Sequence, residues 1–314
     1  MHSFRFGLLI ERFASPAYVL ETARRAEALG FTTFLIRDHL IDEPFGPQYG
    51  PFTTLAAVAL ATTTLRVGTL VIANDFRHPA VLAKEVTTLD QLSGGRAELG
   101  LGAGFLREEY RRVGLEFSAN AVRVDRLASA LPLLDQLLRG EPVTWSDEHY
   151  CLDGFVNFPP PVQRPRPPML VGGAGPRMLA LAARYADTVA LMATSLHGGA
   201  MVDSAEARGM DNMRRQAERV REAAGPRADS LELGLSATVV ADADRRQAAE
   251  RLAAERGWQV GPEAVLDMPS MLIGDSDAMV DQLERTRAET GISYLVVRDC
   301  HMDAGAEVVR RLAR

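Results

Sequence analysis

The 314-residue chain predicts an α/β fold, a (β/α)8 TIM barrel carrying an insertion, and three observations predict it. Eight short apolar segments with strand character begin near residues 4, 31, 66, 97, 169, 188, 231 and 294. Stretches of helical period separate them, and eight β/α units in roughly 250 residues is the size of such a barrel. No shift of composition marks a boundary, so one domain over 1–314 with an insertion at about 140–168 is expected.

In chain order, Phe4 to Ile10 reads as a strand and Pro16 to Leu29 as a helix with Val19, Ala23 and Ala26 inward and Gly30 as its stop. Phe31 to Ile36 is the next strand and Thr53 to Thr62 a short helix. Arg66 to Ile72 is a strand, and Pro79 to Leu92 a helix with Leu82, Val86 and Leu89 on one face. Ala97 to Leu101 precedes a long helix, Val122 to Leu138, whose apolar residues recur every three or four positions and in which Pro132 predicts a kink. From Gly140 to Pro168 the chain turns aromatic, proline-rich and irregular, which predicts an inserted β-hairpin. Alternation resumes with strand Met169 to Val171, helix Pro176 to Tyr185, strand Thr188 to Met192, a polar helix near Ala205 to Ala224 and strand Leu231 to Val240. Two helices then lead to a last strand, Tyr294 to Arg298.

Composition narrows the function. At 47% hydrophobic and 24% charged, with net charge −6, the chain can bury a large core but offers no basic stripe for nucleic acid. A small-molecule substrate is the expected partner. Cys151 and Cys300 stand alone, in no zinc or disulfide pattern, and no stretch has membrane-spanning character, so a cytoplasmic protein is expected. No metal-ligand spacing and no G-x-S-x-G nucleophile occur, which leaves the chemistry to a cofactor.

In a barrel of this kind function resides in the loops after the strands, and the chemically distinctive residues fall there. Gly100, Gly102 and Gly104 end one strand, where absent side chains would let a ring or phosphate approach, or would serve tight packing; the spacing is not G-x-G-x-x-G. Gly172-Gly-Ala-Gly-Pro176 leads from strand to helix and directs free amides at one spot, an anion site that Arg177 could reinforce. Asp38-His39 pairs an imidazole with a carboxylate able to orient it, and Asn74, Asp75, Arg77 and His78 form a second polar group that could equally fix the loop to its helix.

Taken together, Ile36-Arg-Asp-His39, Asn74-Asp-Phe-Arg-His-Pro79, Leu89-Asp-Gln-Leu-Ser-Gly-Gly-Arg96 and Leu99-Gly-Leu-Gly-Ala-Gly104 resemble the bacterial luciferase-like superfamily, and within it the branch that uses the deazaflavin coenzyme F420. The resemblance covers nearly the whole chain and implies a barrel with an insertion after the fourth helix. It further implies a non-prolyl cis peptide at Leu70-Val71 backing the deazaflavin ring, Asp38 and His39 beside that ring, and Asn74 facing the ring or ribityl chain. It assigns Gly102, Ala103 and Gly104 to the first tail-binding loop and Gly172, Gly173, Ala174 and Gly175 to the phosphate loop. Sugar-phosphate dehydrogenases of this superfamily carry a catalytic glutamate just after the first glycine loop; Phe105 stands there, so that oxidation is not expected. The implied activity is hydride transfer between the deazaflavin C5 and a small organic substrate, with His39 catalytic. An FMN-dependent monooxygenase and a flavin-binding protein without turnover are the alternatives, a homodimer the implied assembly, and 40–52, 140–168 and 193–204 the loops expected to touch substrate, the last made mobile by Gly198-Gly199.

Overall fold

The computed structural model describes residues 2–312. Its strands are β1 (Arg5–Leu9), β2 (Thr33–Ile36), β3 (Arg66–Thr69), β4 (Ile72–Ala73), β5 (Ala97–Gly102), β6 (Pro142–Ser146), β7 (Cys151–Val156), β8 (Met169–Gly173), β9 (Thr188–Leu191), β10 (Ser195–His197), β11 (Ala200–Val202), β12 (Glu232–Ala241), β13 (Met271–Gly274) and β14 (Ile292–Arg298). Its helices are α1 (Pro16–Ala28), α2 (Pro51–Ala61), α3 (Pro79–Ser93), α4 (Arg107–Val113), α5 (Asn120–Leu137), α6 (Pro176–Tyr185), α7 (Ala205–Arg208), α8 (Met210–Ala224), α9 (Arg245–Glu255), α10 (Pro262–Leu266), α11 (Ser276–Thr290) and α12 (Met302–Leu312).

Parallel pairing runs β1–β2–β3–β5–β8–β9–β12–β14 and returns to β1, which closes an eight-stranded barrel at the eight positions the periodicity predicts. Strand alternation sorts the apolar side chains into two layers. On β1, Phe6 and Leu8 pack outward against Val19, Ala23 and Ala26 of α1, while Leu9 joins Leu35, Leu170, Tyr294 and Val296 inside the barrel. Local chemistry sets the helix ends. Ser15 accepts from the Tyr18 amide to start α1, His78 Nδ1 accepts from the Ala80 amide to start α3, and Gly94, at φ +65°, stops α3 in the left-handed conformation that glycine takes most readily.

Near the N-terminal ends of the strands the barrel interior is charged rather than apolar. Arg5 lies 3.9 Å over the Tyr294 ring and bridges Glu98 at 2.6 Å and Glu232 at 2.7 Å, with Arg66 also on Glu98. Burial works against the Arg5 charge, but Glu98, Tyr294 and Glu232 together hold its pKa above the usual arginine value.

Several elements depart from the expected pattern. The third strand is broken by a cis Leu70–Val71 peptide and resumes as β4, which pairs with β5 at Ile72↔Leu101 and Ala73↔Gly102. The insertion is the antiparallel hairpin β6–β7, as expected, and α5 continues through Pro132. The polar helix divides at Gly209 into α7 and α8. Three helices, α9 to α11, stand where two were expected, and α12 follows the last strand unread. Three shorter elements were also unread: α4; a second hairpin, β10–β11, where a mobile loop was expected around Gly198-Gly199; and β13, which pairs with the C-terminal half of β12 outside the barrel cycle. Each is short, and none shows enough periods to declare itself.

Candidate functional site

The C-terminal ends of all eight barrel strands open into one cavity of about 960 Å³. Asp38, His39, Leu70, Val71, Gly102, Ala103, Gly104 and Gly172 to Gly175 line it, together with Arg298 at the end of the last strand, Phe45 of the expected 40–52 segment, and the unforeseen Glu11, Glu109, Arg123, Arg208 and Arg256. Asn74 does not. It is buried, and its amide donates to the Tyr150 hydroxyl at 3.1 Å, so the polar position expected to face a cofactor instead anchors the inserted hairpin. The hairpin itself packs outside the barrel, where Asn157 donates to the Ala83 and Leu137 carbonyls; no residue of 140–168 lines the cavity, contrary to expectation. Segments 44–45 and 190–203 do line it.

Asp38 and His39 are neighbours in sequence but serve different partners. Asp38 is 3% exposed and binds Arg77 through two bonds of 2.6 and 3.0 Å, and it accepts from the Ala73 amide at 3.3 Å. It therefore secures β4 beside the cis peptide and does not orient the imidazole. Arg77 and His78 fix the loop, the first through Asp38 and Glu85, the second as the α3 cap.

Glu109 of α4 orients the imidazole. It is 2% exposed and lies 3.1 Å from His39 Nδ1, and it also accepts from the Leu40 amide at 2.5 Å. A carboxylate on Nδ1 sets the tautomer with the proton there, which leaves Nε2 as the basic nitrogen. Phe45 stacks on the imidazole at 4.5 Å, and Phe105 meets it edge-on at 6.1 Å. The position after the glycine loop is thus aromatic, while a carboxylate reaches His39 from four residues further along. Only the adjacent pair Glu108-Glu109 hinted at this, and 70 residues of sequence separate the partners.

The two glycine loops differ physically. A Cβ on Gly100 would lie 1.9 Å from the Thr69 carbonyl oxygen, one on Gly102 2.8 Å from Val71, and one on Gly104 2.1 Å from the Tyr110 hydroxyl. Packing against the broken third strand and α4 therefore accounts for these three glycines, which is the tight-packing alternative. In the second loop, Gly173 is also closed, 2.7 Å from Met178, but a Cβ on Gly175 would meet nothing within 4 Å. Gly175 is the N-cap of α6, makes no side-chain cap and is followed by Pro176, so the first-turn amides face the cavity mouth uncapped. Arg177 is turned away onto Asp125.

Guanidinium groups outnumber the carboxylates available to them. Arg107 and Arg123, both stacked on Phe117, have no carboxylate partner among the described residues; burial lowers the Arg123 pKa from its usual value. Toward β12 and β14, Arg37 and Arg298 share Glu11, and Arg208 and Arg256 share Asp203.

A family model described as luciferase-like monooxygenase matches residues 2–291, and the chain belongs to that family. It is 28% identical over 319 residues to a protein named F420-dependent glucose-6-phosphate dehydrogenase from Nakamurella multipartita, a match covering 93% of this chain and 89% of that protein. A protein of the same name from Microbacterium testaceum is 32% identical over 190 residues, which are 58% of this chain and 55% of that protein. For several curated relatives the chain spans about half of their length. The solved structure of the coenzyme F420 dependent tetrahydromethanopterin reductase from Methanopyrus kandleri superimposes with a TM-score of 0.78 at 19% identity, over 99% of this chain and 100% of that one, a likeness of fold.

Proposed function

We propose that the chain is an F420-dependent oxidoreductase that moves a hydride between the deazaflavin C5 and a small organic substrate. The observation that carries this reading is the meeting, in one cavity, of an uncapped helix N-terminus with open space at Gly175 and a carboxylate-oriented imidazole. The residues present fit the cofactor. Gly172, Gly173, Ala174 and Gly175 would hold its phosphate, Leu70 and Val71 would back its ring, and Gly102, Ala103 and Gly104 would flank its tail. Arg107 and Arg123, free of carboxylates among the described residues, suit an anionic tail. The relatives named F420-dependent support the same choice.

When bound, the deazaflavin supplies two-electron hydride chemistry at C5. The protein's part is the proton. When hydride leaves an alcohol carbon of the substrate, His39 Nε2 accepts the hydroxyl proton and Glu109 stabilises the resulting imidazolium; in the reductive direction the same nitrogen donates it. Phe45 and Phe105 flank the imidazole that carries that nitrogen. Without an acid at 105, sugar-phosphate oxidation is not part of this reading.

Titration of the apo protein with oxidised F420 and with FMN, read by ligand fluorescence, tests it. Micromolar F420 binding is expected; FMN binding with none for F420 would overturn the reading in favour of a flavin monooxygenase. F420 binding without turnover on alcohols or ketones would favour the binding protein. A homodimer in the cytoplasm accompanies the proposal. Exposed Leu60 on α2 and Val81 and Leu92 on α3 support the dimer, and among the described residues no helix is long and apolar enough to cross a membrane.

A further inference from the structure

Glu11 and Asp203 are the only carboxylates among the described residues that pair with the four cavity arginines Arg37, Arg208, Arg256 and Arg298. Asp203 receives Arg208 at 2.5 Å and Arg256 at 2.6 Å, while Arg298 reaches Glu11 only at 3.5 Å. Arg208 also donates to the Ser270 hydroxyl and lies over Trp258, so it is fixed in place. His301 lies against Arg298. Its Nε2 is 2.9 Å from Arg298 Nη2, and burial together with Arg298 and Arg256 lowers its pKa against the opposing pull of Glu11 and Asp299. Four guanidinium groups thus share two paired carboxylates, and even with Asp299, which accepts from the Glu11 amide, counted beside them the cluster keeps an excess of positive charge in a partly buried wall where water screens it poorly. It also borders the proton-transfer group, because the Phe45 ring touches both the Arg37 guanidinium, at 4.5 Å, and the His39 imidazole.

We propose that the substrate of this site carries an oxyanion group, a carboxylate or a phosphate, which Arg256 and Arg298 bind with Arg208 fixed behind them. This rests on the reading of the cavity as a cofactor-and-substrate site. The planar guanidinium fork matches either oxyanion through two parallel bonds, and neutralising the excess charge favours an anion over a neutral alcohol of the same size. The reacting carbon of that substrate lies on the Phe45 side of the anion, toward His39.

Trp258, beside Arg208 and Arg256, provides the readout, and Trp145, the only other tryptophan, lies outside the cavity. A Trp145→Phe protein is titrated with inorganic phosphate and with succinate at ionic strength held constant with chloride, following tryptophan fluorescence. A saturable change with at least one of the two anions is expected, and which one saturates identifies the group. Arg256→Gln and Arg298→Gln should each weaken it about tenfold or more, and Arg256→Lys should recover part of the loss. No saturable change with either anion, or equal affinity in the Gln variants with circular dichroism unchanged, would overturn the proposal. F420 titration of the same proteins separates the two readings. Cofactor affinity within twofold across variants is expected, whereas failure of F420 to bind the parent protein would overturn the cofactor assignment and leave the anion result standing.

Discussion

His39 shows how little of a residue's role its sequence neighbours reveal. The adjacent Asp38 is committed to Arg77 and the Ala73 amide, and Glu109 supplies the carboxylate at Nδ1. His39→Ala should slow turnover by about 10²-fold or more while leaving the F420 dissociation constant within about twofold, measured by stopped-flow and fluorescence titration. Unchanged turnover would remove His39 from the chemistry. The glycines separate in the same way by what surrounds them. Gly100→Ala would drive a Cβ into the Thr69 carbonyl and should cost about 3 kcal/mol or more in urea denaturation. Gly175→Leu meets open space at φ −70° and should leave stability within about 0.5 kcal/mol, yet weaken cofactor binding about tenfold by filling the anion position. Gly173 is a poorer probe, since Met178 already occupies its surroundings.

At the scale of elements, the well-marked helices were legible because their ends carry their own chemistry: Ser15 and Pro16 before α1, Pro79 and Gly94 around α3. What joins one element to the next was not. Glu27, near the end of α1, accepts from the amides of Thr63, Thr64 and Leu65 in the turn between α2 and β3. Burial alone would raise its pKa, but these amides hold it down to about 2, against a usual 4.5. A depressed carboxylate contributes stability that is fully present above the unfolded-state value and is lost as pH falls through the folded value, here between about pH 4.5 and 2. Glu27→Gln should therefore lower stability by about 1 to 2 kcal/mol at pH 7 and flatten its fall across that window, as urea midpoints against pH would record. The short elements α4 and β10–β11 escaped notice for a related reason. They meet each other, with the Arg107 amide donating to the Gly199 carbonyl at 3.2 Å, a contact across 92 positions that no local pattern encodes.

For the whole molecule, closure of the barrel brings Arg5 of β1, Glu98 of β5 and Glu232 of β12 into one interior network. Arg5→Met would leave two carboxylates facing each other with Arg66 alone to balance them. It should destabilise the protein by about 3 kcal/mol, read from denaturant midpoints. An unchanged midpoint would show that the network contributes nothing net.

The sequence by itself determined the eight strand positions, the closed α/β barrel they imply, the inserted hairpin and the two glycine loops at the mouth, because strand alternation, helical period and glycine stops are local properties of the chain. Its resemblance to luciferase-like proteins also placed the cis peptide at Leu70–Val71. Only the tertiary structure decided that Glu109 rather than Asp38 meets His39, that Asn74 faces the hairpin, that Gly100 to Gly104 serve packing while Gly175 is open, and that arginines from four separate segments stand around two acids. Side chains from distant segments acquire partners only when the barrel closes, and charge balance in a cavity is a property of the whole ring of loops.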